Sequence, residues 1–182
     1  YQTTTGSVSH LLVANPTQRV TVEIAEINSH LADINLGAWK AVEYEVNDPA
    51  SPTQTRSIES CVLLPPDFDP QSPPALIVEV YPGVGSSCRQ RSSSITNIDT
   101  DSPYLWAAKG YAYARLATPS ELIRTDEGPI AGMDEVLESG VRAIEERHFA
   151  NDSRVVLYGF SQGGVSALYV AAKSNRYKAV IA

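Results

Sequence analysis

Residues 155–164 read VVLYGFSQGG, and this stretch decides the fold of the chain. The first four residues form an apolar run that is typical of a strand buried on both faces. The next six contain the pattern Gly-x-Ser-x-Gly. Residues 162–173, rich in Ala and Val, are typical of a helix. A strand, a tight turn and a helix in this order predict that Ser161 lies on the turn, with its hydroxyl at the helix N-terminus.

A turn this tight has steric and electrostatic consequences. The residues two before and two after the serine must be small, and Gly159 and Gly163 stand at these positions. The serine hydroxyl then projects where the helix dipole favours a developing negative charge. The backbone N–H of Gln162 is placed to donate a hydrogen bond to an oxyanion. We therefore predict that Ser161 is a nucleophile; the alternative is a turn without chemistry.

Working outward, strand and helix patterns alternate after the strand over residues 75–80, which predicts an α/β fold with a parallel sheet and helices on both faces. Residues 47–56 are expected to form a long hairpin loop, and the polar residues 86–101 another loop. The predicted strands cover 38–46, 57–64, 75–80, 111–116, 155–158 and 178–182. The predicted helices cover 102–109 and 162–173, with an amphipathic helix through Met133, Val136, Leu137, Val141 and Ile144.

Residues 1–37 are predicted to be β-rich. Strands over 8–13 and 19–27 are separated by a turn at Asn15-Pro16-Thr17. Apolar and polar residues alternate over 20–24, which predicts a half-buried strand. Because three or more strands are needed for stability, we expect further partners upstream of Tyr1. The chain ends within a predicted buried strand, so we expect it to be an excerpt of a longer polypeptide.

Composition excludes some classes of function. The 182 residues carry a net charge of −7, which argues against a nucleic-acid partner. No apolar stretch is long enough to span a membrane. Two cysteines, Cys61 and Cys88, make neither a disulfide framework nor a metal site, and we expect them to be unpaired rather than bridged.

Other side chains could contribute to the site. Tyr81 follows the apolar strand 75–80 and should face the same crevice as Ser161, where its hydroxyl could donate the second oxyanion hydrogen bond; the alternative is an aromatic packing residue. Loop arginines could bind a substrate carboxylate, although solvated charge is the commoner role. They are Arg89, Arg91 and Arg124. The histidines, His10, His30 and His148, all precede Ser161, whereas a base follows the serine in this fold.

The ordered set of motifs resembles the catalytic domain of the prolyl oligopeptidase family of serine peptidases. Residues 31–37, LADINLG, look like the exit from that family's β-propeller. Residues 60–70, SCVLLPPDFDP, look like its lead-in strand and Pro-rich connector. Residues 77–81, IVEVY, look like the strand that carries the oxyanion tyrosine, and residues 159–164 like the nucleophile elbow.

The resemblance implies an α/β-hydrolase fold preceded by the last strands of a β-propeller. Residues 1–37 would end the propeller, and residues 38–182 would begin the catalytic domain, truncated after the nucleophile helix and the start of the next strand. Ser161 would be the nucleophile, with Tyr81 and the N–H of Gln162 as the oxyanion hole. The family's Asp and His would follow this chain in the same polypeptide. No metal or organic cofactor is implied.

Two loops depart from the family pattern. Pro82-Gly83-Val84 replaces the usual Gly-Gly-Pro after the tyrosine, and residues 117–121 replace the usual Asn-Pro-Arg-Gly. The altered loops are similar to those of lasso-peptide isopeptidases, a bacterial subgroup, which is compatible with a cytoplasmic or periplasmic location. The expected function is hydrolysis of an amide bond in a peptide. The alternatives are an esterase on the same fold and a non-catalytic binding protein that retains the elbow.

Overall fold

The structure, a computed structural model, describes residues 2–5, 8–85, 102–123, 128 and 130–182. The described residues up to Asn35 belong to one compact unit, and those of 36–85 and 103–182 belong to a second. The predicted loop 86–101 lies outside the described residues. Within the described part of the chain, no helix is long and apolar enough to cross a membrane.

The first unit is an antiparallel ribbon in the order β1-β2-β3. Its strands are β1 (Gln2–Thr5), β2 (Val8–Asn15) and β3 (Val20–Ile27), followed by a short 3-10 turn at Ser29–Leu31. The Asn15 side-chain oxygen accepts the N–H groups of Thr17 and Gln18, which stabilises the predicted turn. The half-buried strand predicted over 20–24 is not observed, because every residue of β3 is exposed.

The second unit is built on a mixed sheet of described strands in the order β4-β5-β7-β6-β8-β9. β4 to β5 and β5 to β7 are antiparallel, and the remaining neighbours are parallel. The carboxyl ends of β6, β7 and β8 therefore meet at one edge of the sheet. The strands are β4 (Ala38–Asp48), β5 (Ser51–Leu64), β6 (Leu76–Glu79), β7 (Ala112–Arg115), β8 (Val155–Tyr158) and β9 (Ala179–Ile181).

Helices cover both faces of this sheet, as predicted. α3 and α4 pack with the main apolar core on one face, and α1 packs with a smaller cluster around Leu63, Ile77 and Tyr113 on the other. All five apolar residues that define the predicted amphipathic helix are buried on α3. The helices are α1 (Pro103–Ala108), α2 (Ser120–Ile123), α3 (Met133–Glu146) and α4 (Gln162–Lys173).

Two further expectations are wrong. Residues 47–56 are not a long loop, because β4 and β5 continue towards each other until Asp48 pairs with Ser51. The Asp48 carboxylate accepts the N–H of Ala50 at 2.9 Å and pairs with Arg56 at 2.6 Å, so a short polar turn closes the hairpin. Cys61 is disulfide-bonded rather than a free thiol; the other cysteine of the sequence, Cys88, lies outside the described residues.

Candidate active site

Ser161 stands between the end of β8 and the first residue of α4. Its backbone angles are φ 55° and ψ −122°, a conformation that residues with a side chain rarely adopt. The turn is closed by the N–H of Gly163, which donates to the carbonyl of Phe160 at 2.8 Å, and by that of Gly164, which donates to the carbonyl of Ser161 at 3.0 Å. The side chain of Ser161 is exposed. A strained serine on a strand-to-helix turn is the geometry of a nucleophile elbow.

The two glycines flanking the serine leave no room for a side chain. A methyl group at Gly159 would lie 2.1 Å from the carbonyl oxygen of Gly163. A methyl group at Gly163 would lie 2.2 Å from the carbonyl oxygen of Val80. Real methyl carbons do not approach other atoms this closely, so the turn requires glycine at both positions. The packing therefore agrees with the steric requirement deduced from the sequence.

Tyr81 lies against the same turn. The methyl group imagined at Gly163 would also be 3.2 Å from the Tyr81 ring, so this ring packs next to the first turn of α4. The backbone explains the approach, because β6 and β8 are parallel neighbours and the N–H of Val80 donates to the carbonyl of Tyr158 at 2.8 Å. The structure thus places Ser161, Gln162 and Tyr81 near one another at the carboxyl edge of the sheet.

Gln162 supplies the donor nearest to the serine hydroxyl along the chain. As the first residue of α4, it carries one of the N–H groups that have no acceptor within the helix. Its side chain is exposed beside that of Ser161. An anion forming at the serine would therefore meet a backbone donor and the positive end of the α4 dipole.

The loop after Tyr81 is held by Thr118, which is fully buried beyond the end of β7. The Thr118 hydroxyl donates to the carbonyl oxygen of Tyr81. The backbone of Thr118 also accepts from the N–H of Gly83 and donates to the carbonyl of Val84, both at 2.8 Å. Three hydrogen bonds therefore fix residues 81–84 relative to β7. Thr118 belongs to the altered loop 117–121, and no sequence motif predicted a role for it.

A charged group lies two residues before Tyr81. The Glu79 carboxylate accepts a hydrogen bond from the Tyr113 hydroxyl at 2.9 Å, and its other oxygen pairs with Arg115 at 3.1 Å. Burial, together with the nearby carboxylate of Glu79, raises the pKa of Tyr113 well above its usual range. Tyr113 is therefore a neutral hydrogen-bond donor at ordinary pH. No sequence motif singled out Glu79.

Of the other candidate side chains discussed for this site, the structure describes His148, which does not lie at this edge. Arg89, Arg91 and Arg124 lie outside the described residues. His148 follows α3 with φ 55°, and its N–H donates to the carbonyl of Glu145, so it takes part in ending that helix. The chain then passes to Asn151, whose N–H bonds the carbonyl of Pro74 just before β6. His148 therefore lies towards the amino edge of the sheet, opposite Ser161.

No family model matches the sequence, and no curated protein matches it. Solved structures do match, at low identity. One is a putative dipeptidyl aminopeptidase IV from Bacteroides ovatus, with a TM-score of 0.68 at 14% identity, covering 100% of this chain and 26% of that one. Another is the acylaminoacyl peptidase of Pyrococcus horikoshii, with a TM-score of 0.64 at 12% identity, covering 99% of this chain and 28% of that one.

A third match is the AtxE2 isopeptidase with Astexin3-dC4 bound, with a TM-score of 0.61 at 16% identity, covering 98% of this chain and 30% of that one. The chain thus spans between a quarter and a third of the length of these three structures. At these identities the likeness establishes the fold alone. The resemblance read from the sequence is confirmed at that level: this chain has the fold of part of the prolyl oligopeptidase and dipeptidyl peptidase family of peptidases.

Proposed function

We propose that this chain carries the nucleophile of a serine hydrolase that cleaves an amide bond in a peptide. The observation that carries the proposal is the strained turn at Ser161, with glycine required on both sides and the Tyr81 ring packed against it. In finer detail, residues 38–182 would be the first half of an α/β-hydrolase domain. The ribbon of residues 1–37 would be the last strands of a β-propeller.

In the proposed reaction, the Ser161 hydroxyl attacks the amide carbonyl carbon and loses its proton to a histidine. The carbonyl oxygen becomes an oxyanion, held by the N–H of Gln162 and the hydroxyl of Tyr81. The amine leaves with the proton from the histidine, and water then hydrolyses the ester on Ser161. Because no Asp, Glu or His follows Ser161 in this sequence, the proposal requires an acid and a base from elsewhere in the polypeptide.

The finer proposal is an isopeptidase that opens the macrolactam ring of a lasso peptide. Two observations support it: the altered loops 82–84 and 117–121 meet through Thr118 beside Tyr81, and one of the matching structures is an isopeptidase. Both loops would line the substrate pocket. Matched lasso, branched-isopeptide and linear peptides would distinguish this activity from ordinary peptidase activity by mass spectrometry.

The test of the nucleophile is covalent labelling. The natural polypeptide that contains this chain is incubated with a fluorophosphonate probe and weighed intact, with the Ser161→Ala variant as the control. We expect one probe molecule, on Ser161, and none on the variant. Labelling at another serine, or no labelling of a folded natural polypeptide, would contradict the proposal and favour the non-catalytic binding alternative.

The esterase alternative needs a separate comparison, since the same elbow serves esters. The natural polypeptide, not treated with the probe, would be assayed with an ester and an amide that share the same acyl group. A peptidase hydrolyses the amide as well as the ester, whereas hydrolysis of the ester alone would favour the esterase.

A further inference from the structure

Three potential metal ligands meet on one side of the ribbon, far along the chain from Ser161. The ligand atoms of His10, Glu23 and Glu26 all lie within 4.8 Å of one another. The closest pair, His10 Nδ1 and Glu23 Oε2, is 3.1 Å apart. Ligands bound about 2.0–2.2 Å from a tetrahedral zinc ion are about 3.4 Å apart. Small rotations of the exposed glutamate side chains would therefore bring all three into binding distance.

A β-bulge brings the two glutamates together. Side chains alternate along a regular strand, so Glu23 and Glu26, three residues apart, would point to opposite faces. The β2–β3 register shifts, however: Leu11 is opposite Ala25, and Leu12 is opposite Glu23. One extra residue on β3 reverses the alternation, so that Glu23 joins Glu26 on the face of His10. Bulges of this kind re-aim side chains.

The sequence of β3 agrees with this bulge. Val20 and Val22 lie on the face opposite the cluster, and after the register shift Ala25 and Ile27 continue that face. The apolar alternation thus changes phase at Ile24, where the structure places the extra residue. The register shift aligns the apolar residues on one face of β3 and the two glutamates on the other. The bulge therefore follows from the residue pattern of β3 and not from one side-chain conformation.

The charge of the cluster favours a cation. Among the described residues, no Lys or Arg pairs with Glu23 or Glu26, and the Glu23 carboxylate contacts the imidazole of His10. Two carboxylates close together repel each other, and a divalent ion would neutralise both. The imidazole discriminates between ions, because Mg²⁺ and Ca²⁺ prefer oxygen ligands, whereas Zn²⁺ takes mixed nitrogen and oxygen sets.

We propose that His10, Glu23 and Glu26 bind one Zn²⁺ ion that links β2 to β3. The fourth position would hold water or a further ligand. This site takes no part in the proposed hydrolysis at Ser161, and its test does not depend on that activity. Since the ion would bind the paired strands and not the unfolded ribbon, it would stabilise this unit by mass action.

The test is calorimetric titration of the whole 182-residue chain with ZnCl₂ at pH 7.5, in a buffer without chelators. We expect one Zn²⁺ per chain. His10→Ala and Glu26→Gln should each weaken binding by at least about 10-fold, the effect reported for loss of groups that merely support a ligand. His30→Ala is the matched control, because His30 is exposed in the same unit but stands outside the cluster.

Several results would overturn the proposal. They are absence of Zn²⁺ binding, equal affinity in the wild type and His10→Ala, or an equal loss in His30→Ala. Equal affinity for CaCl₂ would reject zinc as the preferred ion.

Discussion

The hydroxyl of Thr118 donates a hydrogen bond to the carbonyl oxygen of Tyr81, and this bond links the end of β7 to the residue proposed as an oxyanion donor. Thr118 is fully buried, and its backbone also pairs with Gly83 and Val84. A buried carbonyl that loses its donor is costly, by about 1–3 kcal/mol. Thr118 is therefore placed to set the position of Tyr81 without touching the substrate.

Replacing Thr118 should lower the rate of the proposed reaction by displacing Tyr81. In the natural polypeptide, we expect Thr118→Val to lower kcat by about 10-fold to 100-fold with a smaller change in KM, as misplacement of reacting groups does. Thr118→Ser should restore most of the rate. In a Tyr81→Phe background, Thr118→Val should have little further effect, because residues acting through one group are not additive. Additive losses of kcat would mean that Thr118 acts independently of the Tyr81 hydroxyl.

Removing the Tyr81 hydroxyl should slow turnover and leave the fold intact. We expect Tyr81→Phe to lower kcat by about 10²-fold to 10³-fold, the usual loss for one oxyanion donor. The ring still packs against Gly163, so the midpoint of thermal unfolding should hardly change. Steady-state kinetics and a melting curve measure the two effects. Wild-type kcat in the variant would assign Tyr81 a packing role.

A methyl group at Gly163 should disrupt the elbow. Gly163→Ala places a carbon 2.2 Å from the carbonyl oxygen of Val80, so the turn has to shift. We expect loss of fluorophosphonate labelling at Ser161 in the natural polypeptide, together with lower stability. Gly85→Ala is the matched control, because a methyl group there meets nothing within 4 Å. Normal labelling of Gly163→Ala would contradict the steric account of the turn.

Gly140 tests the packing of α3 on the sheet. Alanine is favoured over glycine in a helix by about 1 kcal/mol. At this position, however, its methyl group would lie 2.8 Å from Leu116 Cδ1 and 2.9 Å from Tyr44 Cζ. We expect Gly140→Ala to lower the free energy of unfolding by about 1–3 kcal/mol, as overpacking does. The control is Ser139→Ala on the partly exposed face, and urea unfolding measures both. A higher free energy of unfolding for Gly140→Ala would show that the Leu116 and Tyr44 side chains shift to make room for the methyl group at little cost.

The turn between β4 and β5 should make stability depend on pH. A hydrogen bond from the N–H of Ala50, and to a smaller extent one from Arg56, hold the pKa of the Asp48 carboxyl below its usual range. A lowered pKa stabilises the fold above the ordinary pKa of aspartate, and this stability is lost as the pH falls through the pKa of the folded state. Asp48→Asn should therefore lower the urea midpoint at pH 7 more than at pH 2.5. Asp67→Asn, at an exposed carboxyl, is the control. An equal fall in the urea midpoint at both pH values would show that the charge of Asp48 does not contribute to stability.

Local patterns predicted the elements that carry the candidate site. The apolar run of β8, the two glycines around Ser161 and the helix-forming residues 162–173 each favour one structure from short-range physics, and α4 begins and ends where predicted. The position of Tyr81 followed from strand order, since carboxyl ends of parallel strands meet at one edge. These inferences need little knowledge of distant contacts.

Pairing between strands, and contacts between segments remote in sequence, decided the rest. Residues 47–56 are polar and contain Pro49 and Pro52, which suggested a loop, yet cross-strand pairing and the Asp48 turn extend the hairpin. Cys61 is bonded although the cysteine count suggested otherwise. Thr118 binds a residue 37 positions away.

The sequence by itself determined the strand-turn-helix at Ser161, because steric exclusion, helix propensity and the apolar run all act within about 20 residues. Only the tertiary structure decided that Thr118 holds the loop of Tyr81, and that a register shift places Glu23 beside Glu26. Both depend on which strands become neighbours and in which register, which no local propensity specifies.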